Sequence, residues 1–120
     1  MKFEAKSAVM PLVIVNVLVF ILQLFLGSGF TSSFILVSGD VFTRPWILLT
    51  HMFLHANPYH LLFNMYGLAM FGSLLEQKIG PKRFLGIYAV SGVVAGLIAS
   101  VFYERSLGAS GAIMGILGAL

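Results

Sequence analysis

The charged residues of this chain are confined to a few short clusters, and long uncharged runs lie between them. Seven Lys or Arg and four Asp or Glu occur among 120 residues, a charged fraction of only 9%, whereas hydrophobic residues make up 59%. A soluble domain is about 25% charged. A helix of about 20 apolar residues crosses a hydrocarbon core of about 30 Å. The chain is therefore predicted to be an all-α integral membrane protein.

The uncharged runs predict four membrane-spanning helices. The first covers residues 8–26, an external loop covers 27–57, the second helix covers 58–75 and the third covers 84–103. A fourth begins near residue 110 and reaches Leu120. At about 1.5 Å per residue it crosses only about half of the hydrocarbon core. We therefore expect residues 1–120 to be the N-terminal part of a longer polypeptide.

A signal peptide is the alternative interpretation of the first apolar run, because Lys2 and Lys6 precede it. The run is long, however, Asn16 and Gln23 interrupt it, and only a weak small-residue cleavage site follows at residues 27–29. We therefore expect the first helix to be retained. Asn16 and Gln23 are seven residues apart and share a helix face. We expect them to make interhelical hydrogen bonds with a structural role.

The basic residues predict the orientation of the chain, because cytoplasmic loops carry an excess of Lys and Arg. With the N-terminus in the cytoplasm, the inner segments hold Lys2, Lys6, Lys78, Lys82 and Arg83, and the outer segments hold Arg44 and Arg105. We expect an integral protein of the plasma membrane, surrounded by lipid and without a cofactor. The cations form no dense patch typical of nucleic-acid binding. The absence of cysteine excludes disulfides, thiolate zinc sites and a cysteine nucleophile.

The candidate catalytic residues are two polar residues in an apolar run and one serine between glycines. His60 and Asn64 are four residues apart and so share one helix face. The Asn57-Pro58 pair predicts that this helix begins just before them. Ser110 follows Gly108 at the start of the fourth helix, which begins on the same outer side. We expect the three residues to converge, so that the side chains of His60 and Asn64 and the N–H of Ser110 surround a developing oxyanion.

Glycines at GxxxG spacing occur in the third and fourth predicted helices. They are Gly92 and Gly96 in the third helix, and Gly111 and Gly115 in the fourth. Small residues at this spacing let membrane helices approach closely. We expect plain helix packing at these four positions.

The order of the motifs resembles the rhomboid family of intramembrane serine proteases. The resemblance rests on residues 53–57 (FLHAN), 60–65 (HLLFNM), 72–76 (GSLLE) and 108–111 (GASG), and it extends from Trp46 to Leu120. The combination of HxxxN on the second helix with GxSG on the fourth is its most specific part. It implies a prokaryotic-type rhomboid of which this chain carries the first four helices of a six-helix core, the fourth incomplete.

The resemblance implies a role for each candidate residue. Ser110 matches the nucleophile of the family, and His60 and Asn64 match residues that help to form the oxyanion hole. The complete protein is then expected to cleave transmembrane protein substrates near the outer membrane face through a Ser-His dyad. The family places the histidine of that dyad on the sixth helix, which would lie beyond Leu120. Residues 1–120 alone are therefore expected to be inactive.

This chain departs from the family pattern in the external loop, where Arg44 precedes Trp46 although family members often have Trp-Arg. Two alternatives concern the activity itself. In one, His60 acts as the general base and not as an oxyanion donor. In the other, the protein is an inactive rhomboid relative that binds transmembrane clients without cutting them. A channel or transporter is disfavoured because the predicted spans lack charged residues.

A metal site is the competing chemical interpretation of the histidines. His51 and His55 have the spacing of zinc ligands on a helix, and His60 is near them in the sequence. The chain has no HExxH motif, however, and Glu76 is predicted to lie at the opposite membrane face. We therefore expect no metal, and we expect His55 to organise the loop before the second helix by hydrogen bonding.

Overall fold

The structure, a computed structural model, describes residues 6–120, so Lys2, used above to predict the orientation, lies outside the described residues. The described α-helices are α1 (Val9–Leu26), α2 (Ser28–Phe34), α3 (Ile47–Thr50), α4 (Pro58–Gly67), α5 (Ser73–Ile79), α6 (Pro81–Phe102) and α7 (Ser110–Ala119). Short 3-10 helices cover Ser38–Asp40 and His51–Phe53, and a π-helical turn, Leu68–Gly72, joins α4 to α5. Strands β1 (Leu36–Val37) and β2 (Arg105–Ser106) form an antiparallel pair.

Among residues 6–120, two helices, α1 and α6, are each long and apolar enough to cross a membrane. Their surfaces carry large apolar side chains that other parts of the chain do not cover. Phe25 of α1 is 83% exposed and Val101 of α6 is 78% exposed. Extended apolar surfaces of this kind are rare on soluble monomers, and they suit contact with lipid. These features fit the predicted helical membrane protein.

The second and third predicted spans correspond to helices that extend further toward each other than the apolar runs do. From Pro58 the chain is helical through α4, the π-helical turn and α5 to Ile79, and α6 begins at Pro81. Gly80 separates them with a φ of 86°, a conformation that residues with a side chain rarely adopt. Pro81 takes the first helical position, where a missing N–H costs nothing. The helices thus end at the backbone turn and not where the charges begin.

The segment predicted as an external loop contains regular structure. It includes α2, α3 and β1, and β1 pairs with β2 in the register Leu36↔Ser106 and Val37↔Arg105. The N–H of Ser38 also donates to the carbonyl of Glu104 at 3.0 Å. These bonds attach the first long loop to the segment that leads directly into α7.

The core lies where α4, the π-helical turn and α5 meet α6 and α7, and Leu68, Phe84 and Ile116 are fully buried there. The glycines of α7 pack as expected against α6. A Cβ added at Gly111 would meet Ala95, and one added at Gly115 would meet Ser91. Close packing of this kind is what small residues provide in membrane helices.

The glycines of α6 have a different role from the helix packing that their spacing suggested. A Cβ added at Gly92 would overlap Met52, and one added at Gly96 would lie 2.7 Å from Cε1 of His51. The two residues they admit come from the 3-10 turn His51–Phe53, which precedes α4. The α6 glycines therefore leave room for a loop to pack against α6. That loop in turn positions the backbone beside the candidate site.

Candidate active site

The start of α4 fixes His60 through both its backbone and its ring. The side chain of Asn57, the N-cap, accepts a hydrogen bond from the His60 N–H at 2.9 Å. The N–H of Ala56 donates to Nδ1 of the His60 ring at 3.3 Å. Because Nδ1 accepts this bond, the neutral ring carries its proton on Nε2. His60 thus has an available N–H donor on the side of the ring away from the loop.

Asn64 lies one turn further along α4 on the same face. It is only 8% exposed, and its side-chain amide nitrogen, Nδ2, is a buried donor without a hydrogen-bond partner. An unpartnered buried donor of this kind costs about 1–3 kcal/mol. Groups of this kind call for a physical explanation, because nearly all buried polar atoms in folded proteins are paired.

Both donors face the backbone at Gly108. A Cβ added there would lie 3.0 Å from Nε2 of His60 and 3.5 Å from Nδ2 of Asn64, and its φ is 112°. The position therefore excludes a side chain both by space and by backbone conformation. The structure brings α4 and the segment before α7 into direct proximity, with two N–H donors turned toward it.

Ser110 follows two residues later as the first residue of α7, and it is exposed. It lines a cavity of about 460 Å³ together with His51, Ser106, Gly108 and Gly111. The first N–H groups of a helix have no partner within the helix, and the helix dipole adds a partial positive charge there. The hydroxyl of Ser110 is therefore accessible and lies beside backbone donors.

His51 was not identified from the sequence as part of this site, yet it lines the same cavity as Ser110. Its Nδ1 donates to the carbonyl of Ile47 at 2.8 Å, and its own carbonyl accepts from the Gly108 N–H at 2.8 Å. Burial lowers the pKa of His51 from the usual 6.5, so the ring is neutral at pH 7. The glycine at position 96, which admits its ring, was the available signal.

His55 is buried to 1% exposure, and neither ring nitrogen has a hydrogen-bond partner. His55 thus makes its loop-organising hydrogen bonds through its main chain, to Gln23, and not through its ring. Its ring instead packs edge-on against the ring of His60, with centroids 5.0 Å apart. Burial chiefly, and then the neighbouring charge of His60, lower the pKa of His55 to about 4. Low polarity around the ring explains the direction of this shift.

The polar residues of α1 bond to their own helix, to another helix and to a loop. Asn16 donates to the carbonyl of Leu12 in its own helix at 2.8 Å. Gln23 makes an interhelical bond, as expected, from its Nε2 to Oγ1 of Thr31 in α2, and it also bonds both main-chain groups of His55 in the loop before α4. Within residues 6–120, no three His, Asp or Glu side chains lie close enough together to hold a metal ion. The site thus consists of a serine, backbone N–H groups and two side-chain donors, a set suited to stabilising an oxyanion.

Known proteins with similar sequences agree in family but differ in their described activity. The family model described as the Rhomboid domain matches residues 43–120. RHOMBOID-like protein 6, mitochondrial, of Arabidopsis thaliana is 42% identical over 79 residues, which cover 64% of this chain and 26% of the relative. Rhomboid protease GluP of Bacillus subtilis is 45% identical over 76 residues, covering 62% of this chain and 15% of the relative.

A third relative bears a different description. Inactive RHOMBOID-like protein 8 of Arabidopsis thaliana is 35% identical over 77 residues, covering 62% of this chain and 22% of the relative. The match to the first of the three relatives spans about a quarter of that relative's length, 26%. The family model covers more than half of this chain, from residue 43 to residue 120. The chain is an integral membrane protein that belongs to the rhomboid family.

Proposed function

We propose that the complete protein is an intramembrane serine endopeptidase that cleaves transmembrane protein substrates near the outer membrane face. One observation carries the proposal: Nδ2 of Asn64 is buried without a partner and faces Gly108, two residues before Ser110. A donor left unpaired at rest is expected where a negative charge forms only in the transition state. The relative named Rhomboid protease GluP supports the same activity.

In the proposed reaction, Oγ of Ser110 attacks the scissile carbonyl while its proton passes to a histidine that lies outside these 120 residues. The carbonyl oxygen becomes an oxyanion beside Nε2–H of His60, Nδ2–H of Asn64 and the N–H of Ser110. The same histidine then protonates the leaving amine. An acyl-enzyme remains, and water hydrolyses it through a second oxyanion intermediate. The tautomer assigned to His60 supports its role as a donor, because Nδ1 is engaged by Ala56.

The proposed orientation has the N-terminus in the cytoplasm. Three cationic residues, Lys6, Lys82 and Arg83, line one cavity beside the start of α6. Ser110 lies in the cavity beside the other end of α6, next to Ala99 and Tyr103. An excess of cations at one end supports placing that end inside. We propose the plasma membrane as the location; because one relative is named as mitochondrial, cell fractionation is the direct test.

The second candidate function is binding of transmembrane clients without cleavage. The similarity to Inactive RHOMBOID-like protein 8 is the observation that favours it. The two functions differ in what they require of Ser110. A client-binding protein does not depend on the hydroxyl of Ser110 or on its reaction with an electrophile.

The test uses the full-length protein in bilayers with a panel of single-span reporter proteins. Ser110→Ala is expected to abolish cleavage, because loss of a nucleophile in a serine protease lowers kcat by about 10⁶-fold. Ser106→Ala is the matched control; it changes a serine of the same cavity and is expected to leave cleavage nearly intact. A fluorophosphonate should label the wild-type protein and not Ser110→Ala. Cleavage that persists in Ser110→Ala would end the protease proposal.

Residues 1–120 provide a second test of the mechanism. Without the histidine proposed to lie beyond Leu120, this segment in bilayers should not turn over the reporter proteins. Turnover by the segment alone would mean that His60 or another group within it serves as the base.

A further inference from the structure

Gln23 makes the hydrogen bonds that hold the loop before α4 to α1. Its Nε2 donates to the carbonyl of His55 at 3.0 Å, and its Oε1 accepts from the His55 N–H at 3.0 Å. The amide thus binds both polar groups of one residue, as a neighbouring β-strand would. Its Nε2 also lies 3.3 Å from Oγ1 of Thr31. A residue of α1 therefore fixes the position of a backbone segment 32 residues away.

The loop is incompletely packed on the side of Gln23. A cavity of about 550 Å³ lies there, lined by Gln23, Thr31, His55, Ala56 and Asn57 among others. The side chain of His55 makes no hydrogen bond of its own. The two bonds from Gln23 are therefore the polar contacts that hold His55 in place.

The position of His55 determines the position of the next peptide N–H. That group, the N–H of Ala56, donates to Nδ1 of His60. As long as it does so, the neutral ring of His60 must carry its proton on Nε2, the atom that faces Gly108. If the loop moves away, Nδ1 loses its donor, and the tautomer with the proton on Nδ1 is no longer disfavoured. That tautomer has no N–H to offer on the side of Gly108.

We propose that Gln23 is a positioning residue for catalysis, which acts by holding the His55–Ala56 backbone so that His60 keeps its donor on Nε2. The inference rests on the proposed protease function. Gln23 does not touch the reacting atoms, so it acts only through His60. Its replacement is expected to lower kcat and to leave KM nearly unchanged, because the oxyanion contact is made in the transition state.

The test compares Gln23→Leu, Gln23→Glu and Thr31→Val in the full-length protein. Gln23→Leu removes both bonds to His55, and kcat should fall about tenfold, less than the roughly 100-fold expected from deleting an oxyanion donor itself. Gln23→Glu keeps the shape and the acceptor but loses the donor, so its kcat should lie between those of Gln23→Leu and the wild type. Thr31→Val removes only the third contact of Gln23 and should retain the wild-type kcat.

A spectroscopic measurement separates positioning from a general loss of stability. In protein labelled with ¹⁵N-histidine, the His60 signals, assigned with His60→Gln, should show a protonated Nε2 and an unprotonated Nδ1. Gln23→Leu should give a mixture of tautomers, and Thr31→Val should not. If Gln23→Leu does not fold, Gln23→Glu carries both measurements.

The possible outcomes distinguish this inference from the function on which it rests. A Gln23 variant with wild-type kcat, or with lowered kcat but an unchanged His60 tautomer, overturns the positioning role. If wild-type Ser110 fails to react with a fluorophosphonate, the protease function itself is wrong. If wild-type Ser110 reacts, and both kcat and the tautomer change in the Gln23 variants, the inference is supported.

Discussion

The two ends of the helix bundle, called inner and outer after the proposed orientation, differ in how the chain turns between helices. At the inner end, only Gly80 lies between α5 and α6. One further contact, a hydrogen bond of 2.6 Å from the Ala8 N–H to the Glu76 carboxylate, joins the start of α1 to α5. At the outer end, long segments are joined by the β1–β2 pair, by the bond from the Gly108 N–H to the His51 carbonyl, and by Gln23.

Buried polar atoms without hydrogen-bond partners are more frequent at the outer end than at the inner turn. Among residues 6–120, three of the five such atoms are Nδ2 of Asn64 and the two ring nitrogens of His55, whereas residues 76–84, which form the inner turn, contain none. The other two, Oδ1 of Asn16 and the hydroxyl of Tyr88, lie within α1 and α6. Each unpaired group costs stability. A turn that only connects two helices needs no such groups. The difference fits the proposed function, in which donors at the outer end stabilise an oxyanion that forms only during the reaction.

Among the changes that test this contrast between the ends, Asn64→Ala, which deletes one outer-end donor, is expected to have the largest effect. If the proposed function holds, kcat of the full-length protein should fall about 100-fold to 1000-fold, as for loss of an oxyanion-hole donor in a serine protease. Because Nδ2 of Asn64 has no partner at rest, the change breaks no hydrogen bond of that atom. Initial rates on a reporter substrate and thermal unfolding in detergent measure the two effects separately.

Asn16→Ala is the matched control for Asn64→Ala. Asn16 is also buried, and its amide donates to the Leu12 carbonyl within α1. We expect this variant to lower the unfolding temperature and to keep kcat close to the wild-type value. Equal losses of kcat in the two variants would mean that the effect at Asn64 is structural.

The second prediction compares the two ends directly through glycines with positive φ. Gly108→Ala places a Cβ 2.7 Å from Cε1 of His60, whereas Gly80→Ala meets nothing within 4 Å. Displacing a catalytic group by about 1 Å can cost about 100-fold in rate, and we expect a loss of that size for Gly108→Ala. Gly80→Ala should cost only backbone strain, about 1–2 kcal/mol of stability.

Enzyme kinetics and unfolding free energies of both glycine variants provide the measurement. We expect kcat of Gly80→Ala to equal that of the wild type. If Gly108→Ala keeps full activity, the close approach of Gly108 to His60 has no bearing on catalysis, and the contrast between the ends disappears.

Local signals in the sequence predicted much of the frame of the site. Asn57-Pro58 predicted the start of α4, and Asn57 does cap it by accepting from the His60 N–H. Spacing predicted that His60 and Asn64 share a face, and counting helices predicted that this face meets Ser110; the structure places both side chains against Gly108, two residues before Ser110. These features depend on helix period and on membrane thickness, which act within one helix at a time.

The contacts between distant segments escaped prediction because they have no local pattern. β1 and β2 are each two residues long, too short for alternation to appear, and they pair across about 70 residues of chain. The bond from the Gly108 N–H goes to a carbonyl of His51, a group that every residue possesses. For the same reason, the sequence predicted an interhelical bond for Gln23, which does reach Thr31 of α2, but not its two bonds to the main chain of His55.

The smallest predicted effect is a dependence of stability on pH that belongs to the outer end. The pKa of His55 is lowered to about 4 in the folded protein, against 6.5 for an ordinary histidine. Between these values the unfolded chain binds more protons, so stability is full above pH 6.5 and is lost as the pH falls toward 4. From pH 7 to pH 5.5 we expect His55 to lower the unfolding free energy by about 1 kcal/mol.

Unfolding of the wild type and of His55→Phe in detergent at the two pH values tests this effect. Phenylalanine keeps a ring beside His60 but does not titrate, so the pH-dependent loss should shrink by about 1 kcal/mol in the variant. His51, whose pKa is also lowered by burial, accounts for a remaining dependence in both proteins. An identical pH dependence in the two proteins would show that His55 does not resist protonation. In that case the unpartnered ring nitrogens of His55 would no longer set the outer end apart from the inner turn.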